Sequence, residues 1–150
     1  MLPEGYEYKK STDPRQYEFQ SNGPKGSIRK IIIYSFMGTQ YGRDVYNLGF
    51  GDYDASTGKI LDLVVSDNRD QIKILATVAA TVLDFIAHHS DCAILVTGST
   101  PARTRLYQMN ISRHYGEISK MFDLQCLTKE GRLTKFKRGE NYEGFFLKIK

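Results

Sequence analysis

"CAILVTGSTPARTRLYQM", Cys92 to Met109, is the stretch on which the fold turns. Its first seven residues form a short apolar run bounded by turn residues, the pattern of a strand buried within a sheet. Thr100 then stands where a helix N-cap is wanted. Pro101 follows at the first helical position, where its missing N–H leaves no hydrogen bond unmade. A central strand, Cys92–Gly98, therefore runs directly into a helix.

Upstream the period changes. "DQIKILATVAATVLDFIAHH" (Asp70–His89) sets Ile72, Leu75, Ala79, Val82, Leu83 and Ile86 on one helical face, with Ile74, Val78 and Phe85 beside it. Asp67, Asn68 and Asp70 are N-cap candidates. So wide an apolar surface predicts a helix packed on a sheet and covered on its flank. Before it, Tyr17–Ser21, Ser27–Met37, Val45–Asp54 and Lys59–Asp67 read as strands of an antiparallel meander, with turns at Asn22–Gly26, Gly38–Asp44 and Ala55–Gly58. In Val45–Asp54, bulky Tyr46, Leu48 and Phe50 alternate with Asn47, Gly49 and Gly51, and glycine there predicts a bulge or a close approach.

After the corner, Tyr115, Ile118 and Phe122 fall at helical spacing within Ser112–Phe122. Asp123–Glu130, Arg132–Arg138 and Tyr142–Lys150 read as closing strands, with Gly131 in the first turn. The expectation is an α+β fold. A mostly antiparallel sheet, made of the N-terminal meander and closing C-terminal strands, packs with one long helix and one or two shorter ones. No repeat or linker interrupts it, so residues 1–150 read as one domain with a polar, loosely ordered start over residues 1–15.

Hydrophobic residues make up 41% and charged residues 25% of the 150, ordinary globular usage that excludes collagen-like and disordered classes. Uninterrupted apolar runs stay short of the ~18 residues that span a bilayer, and the N-terminus lacks a secretory pattern. Cys92 and Cys126 occur without CxxC spacing and read as reduced, buried thiols of a cytoplasmic protein. Residues 1–99 carry ten Lys/Arg against twelve Asp/Glu, and residues 100–150 eleven against five. This asymmetry permits a phosphate-bearing partner, although folding the halves together offsets much of it.

The corner carries the most chemistry. Gly98, Ser99 and Thr100 lead into a helix N-terminus whose free N–H groups suit an anion. Arg103 and Arg105 add charge and guanidinium forks. Arg103 shares a face with Tyr107, four residues on, whereas Arg105 lies about 200° round the helix, so the two cannot grip one small anion together. The competing reading is a capped helix whose arginines pair with acids. There is no P-loop or dinucleotide fingerprint. Asp52 and Asp54 alternate onto one strand face, a pattern read as an ion pair or turn rather than a metal site. His88 and His89 read as helix-end residues, and Lys135 and Lys137 as a basic strand face.

"GSTPARTRLYQMNIS", "YEFQSNGPKGSIRKIIIY", "VYNLGFGDYD" and "KRGENYEGFFLK" together resemble a bacterial family of domains, largely from Bacteroidetes, marked by a GSTxARTRLY signature and carrying no assigned activity. The resemblance covers Tyr17 to Lys148. It directs attention to Gly98, Ser99, Thr100, Arg103, Thr104, Arg105 and Tyr107, with Asn47 and Asp52 as second choices. A fainter similarity is to the N-acetyltransferase fold, in which a meander, a long helix, a strand and a further helix follow in that order. Such enzymes hold the CoA pyrophosphate on a glycine-rich loop, where this chain has "SDNRDQ" (Ser66–Gln71), whose carboxylates repel it.

The expected function is binding of an anionic ligand (nucleotide, phosphate metabolite or RNA) at the Gly98–Tyr107 corner, without a metal or other cofactor. The alternatives are an acyltransferase-like enzyme and a protein-interaction module such as a toxin–antitoxin component. A homodimer is compatible with exposed strand edges, and no membrane partner is expected.

Overall fold

The computed structural model describes residues 3–40, 42–61, 68–89, 91–98 and 100–149, with the backbone alone for residues 59–61. Its elements are β1 (Lys9–Lys10), β2 (Gln16–Gly23), β3 (Gly26–Gln40), β4 (Arg43–Asp54), β5 (Lys59–Leu61), α1 (Gln71–His88), β6 (Cys92–Val96), α2 (Pro101–Arg113), α3 (Tyr115–Met121), β7 (Phe122–Leu127), β8 (Leu133–Thr134) and β9 (Gly144–Ile149). The strands form one sheet in the order β1-β2-β3-β4-β6-β9-β7-β8, with β5 also on β4. Every pairing is antiparallel except β4–β6. The fold is α+β, as the alternation of periods implied.

The pleat decides what each face carries. Tyr17 and Phe19 of β2, Ile32 and Tyr34 of β3, Leu48 of β4 and Ile94 of β6 share a buried cluster with Val82 and Phe85 of α1, Ile111 of α2 and Ile118 of α3. The smaller cluster on the opposite face, around Val45, Ala93 and Phe146, contains strand residues only. All three helices thus pack on one face. Phe85, fully buried, anchors α1 by stacking on Tyr34 at 4.3 Å and on His89 at 4.0 Å. By length and composition α1 could cross a membrane, yet here its Ala79, Val82, Phe85 and Ile86 stripe faces the sheet. Cys92 and Cys126 are free and buried, and burial pushes the Cys126 thiol up to about 12.

The N-terminal segment, polar enough to read as loose, is tied to α1. The backbone N–H of Tyr6 donates to Thr77 Oγ1 at 2.8 Å, and a Cβ on Gly5 would meet the Thr77 backbone. β1 pairs with β2, and Lys10 reaches Asp84 of α1 at 2.9 Å, where Tyr17 Oη also donates at 2.7 Å. Asn68, buried just before α1, grips the β2–β3 hairpin. Its Oδ1 accepts from Lys25 N at 2.7 Å and its Nδ2 donates to the Gly26 carbonyl at 2.9 Å.

Two local expectations change. The register shift falls between Phe36 and Gly38 of β3, not at Gly49 or Gly51. The basic segment Arg132–Arg138 is a strand only at Leu133–Thr134. Beyond it, Phe136 stacks on Tyr115 at 5.0 Å, and Tyr142 Oη accepts from Lys137 N at 2.9 Å, which draws the chain off the sheet. Lys135 and Lys137 therefore do not form a strand face. The expected strand to Asp67 is seen to Leu61, and residues 62–67 lie outside the described ones.

Burial works against ionisation of Asp84, but the Tyr17 hydrogen bond and Lys10 more than offset it and hold the carboxyl below its ordinary 3.8. A depressed folded-state pKa gives stability that is full above the unfolded value and is lost as pH falls through the folded one. Urea melts should therefore show stability declining with acidification below about pH 4, with part of that decline absent in Asp84→Asn.

Candidate functional site

The corner after β6 is closed from within. Gly98 N donates to Thr104 Oγ1 at 2.8 Å, and Thr104 Oγ1 in turn donates to the Thr100 carbonyl at 3.3 Å. Thr100 Oγ1 caps the helix by accepting from Arg103 N at 3.2 Å. A Cβ at residue 98 would lie 2.4 Å from Arg103 Cβ and 2.5 Å from Thr104 N, so only glycine fits against the first turn of α2. Gly98, Thr100 and Thr104 thus fold the corner, and much of the helix end's capacity for an anion is already used. Ser99 lies outside the described residues.

The arginines part as the helical geometry requires. Arg105 is exposed and lines a polar groove of about 550 Å³ with Thr97, Lys129, Asn141 and Glu143. Arg103 turns the other way, into a cavity of about 360 Å³ between the sheet, α1 and α2. Its guanidinium carbon sits 5.6 Å from the centre of the Tyr107 ring, which lines the same cavity. Arg103 Nε is buried without a hydrogen-bond partner. Among the described residues Arg103 makes no ion pair, so the acid partner weighed from the sequence is absent there.

The cavity walls are mainly apolar. Leu48 and Phe50 of β4 and Val96 of β6 form the floor, while Ile74, Leu75 and Val78 of α1 form one side. These α1 residues are only partly buried, so the flank expected to be covered borders open space instead. Leu106, Met109 and Arg113 of α2, all exposed, form the rim.

Asp52 also lines the cavity, ion-paired with Lys30 directly across the β3–β4 ladder. The Lys30 side chain is 5% exposed and that of Asp52 14%, so the pair is a buried one. Asp54 instead holds the β4–β5 turn through Ser56 and Thr57. Asn47 is one pleat out of phase with Asp52 and lies on the opposite face, accepting from Thr97 Oγ1 at 3.4 Å. Of the nine residues singled out, the cavity gathers Arg103, Tyr107 and Asp52.

Lys30 was missed, although a lysine in phase with Ile32 and Tyr34 points to the helix-covered face. The excess width of the apolar surface of α1 was the other available signal. No cluster of three or more His, Cys, Asp or Glu residues fit to hold a metal occurs among the described residues. His88 and His89 bond through Nδ1 to carbonyls of α1 itself, Asp84 at 2.8 Å and Phe85 at 3.0 Å.

A family model matches residues 3–150. The chain belongs to the family of unknown function DUF6934. Membership in DUF6934 accords with the sequence-level resemblance to a family without an assigned activity, and brings no substrate with it. No curated protein and no solved structure matches the chain.

Gly98→Ala and Thr104→Val should each lower stability by about 1–3 kcal/mol in urea titrations, the first by crowding and the second by stranding the Gly98 N–H. Thr104→Ser should stay close to wild type.

Proposed function

We propose that this domain binds an anionic small molecule at the Gly98–Tyr107 corner, on its Arg103 side. One observation carries the reading: Arg103 lines a cavity with largely apolar walls, and its buried Nε has no hydrogen-bond partner. A buried donor left unpaired costs about 1–3 kcal/mol, and more when it is charged, and an anion drawn to the guanidinium supplies the missing acceptor once the side chain shifts toward it. Of the expected ligands, the recessed cavity favours a small molecule over RNA, whose backbone needs an open basic track.

A second reading, an acyltransferase-like enzyme, draws on the location of the cavity. It lies over the last parallel pair, Leu48 with Val96, and reaches past it, toward the type of crevice outside strand carboxyl ends where α/β sheets take ligands. Asp70 at the start of α1, its Oδ2 accepting from Tyr6 at 2.6 Å and Ser21 at 2.5 Å, is a fixed carboxylate hostile to a pyrophosphate at that helix. Absence of binding at millimolar CoA would remove this reading.

In a thermal-shift screen, an anion at a hundred times its Kd should raise the Tm of wild type by several degrees, corresponding to about 2.7 kcal/mol. Arg103→Met should fold and lose that shift, whereas Arg105→Met should keep it. Equal shifts in all three proteins would refute the role given to Arg103.

A further inference from the structure

The walls of this cavity say more about its occupant than the cation does, and the inference rests on the anion-binding reading above. Leu48, Phe50, Ile74, Leu75, Val78 and Val96 belong to a lining that is mainly apolar. A bare phosphate or a sugar phosphate would leave those side chains facing water or an unpaired polar group. The volume of about 360 Å³ is at the small end for ligand sites. At about 30 Å³ for each water-sized unit, it holds on the order of a dozen heavy atoms.

Charge narrows the class further. Lys30 and Asp52 form an ion pair on the cavity floor, and among the other described lining residues the cations are Arg103, facing inward, and Arg113 at the exposed rim. One guanidinium matches one carboxylate, because its planar fork takes both oxygens. A dianion would bring a second charge close to Asp52, with no further inward-facing cation among the described lining residues to meet it.

We propose that the ligand is a monocarboxylate with an apolar body of medium length, a fatty acid or an aryl-alkyl acid. Its carboxylate sits on Arg103 beside Tyr107, and its body lies between α1 and the β4–β6 floor. The flank of α1 that is only partly buried among the described residues is the surface this body covers.

The test is calorimetric titration of the whole protein with monomeric hexanoate, octanoate, decanoate, decanol, inorganic phosphate and AMP. Affinity should rise about fourfold per added methylene, the equivalent of ~0.8 kcal/mol per buried CH₂, until the cavity is full. Arg103→Met should weaken decanoate tenfold or more while keeping the chain-length trend. Val78→Phe, or Leu75→Phe if that variant does not fold, should shorten the best chain by filling the body's place. Tight, Arg103-dependent binding of phosphate or AMP, with no chain-length trend among the acids, would overturn the apolar body and leave anion binding standing. Decanol binding as well as decanoate, unaffected by Arg103→Met, would overturn both, as would the absence of binding by every probe.

Discussion

The parallel pairing of β4 with β6 ends at Leu48 and Val96, and the rest of the site depends on that ending. β4 runs on to Asp54 and takes β5 as its partner over residues 52–54. The chain leaving β6 instead folds back within two residues, where Gly98 meets the first turn of α2. Antiparallel neighbours could be stitched by a hairpin at this end. Parallel ones cannot, because their connection must cross over through a helix. The crossover helix α1 therefore starts near this end and runs back to the start of β6, α2 leads away from the end of β6, and the wedge between them is left for something other than main chain. The cavity is a topological product before it is a chemical one.

Its electrostatics follow from the pleat. Lys30 and Asp52 face each other because residues 30 and 52 are direct partners in the ladder. A buried ion pair of this type roughly breaks even against apolar packing, since desolvation consumes most of the attraction. Its opposite charges, held in contact, add little net charge to the cavity. The cationic excess of the C-terminal third is divided by the turn of α2: Arg103 inward, Arg105 to the polar groove, Arg113 to the rim. Dispersal of this kind suits recognition of one group at a time better than a continuous basic surface.

Much of the architecture was legible because period and capping reported it directly. The long β2–β4 meander and α1 showed through alternation and helical spacing, and Thr100-Pro101 marked the start of α2 to the residue. Arg132–Arg138 was not legible as a loop. Its alternating Phe136 answers to Tyr142, six residues on, and to Tyr115 in a helix well before it, a contact that no local pattern displays. The site was half visible. Arg103 and Tyr107 declare themselves by their four-residue spacing, and the even–odd difference already separates Asn47 from Asp52. Lys30 hid because a lysine in a β-branched strand reads as a solvent-facing residue. Its burial appears only when β4 brings Asp52 opposite.

The Asn68 side chain, bonded to both Lys25 and Gly26, makes the tip of the β2–β3 hairpin and the entrance of α1 a single mechanical unit. A Cβ on Gly23 would come within 2.0 Å of the Asn68 carbonyl, so the hairpin has no slack on that side. The two ends of the molecule consequently differ in what they can accommodate as the family diversifies. Extra residues at Pro24–Lys25 would pull on the start of the helix, and a graft or tag there would disturb a region far from it in sequence. The exposed turn at Gly131, where a Cβ would meet nothing within 4 Å, is open to lengthening.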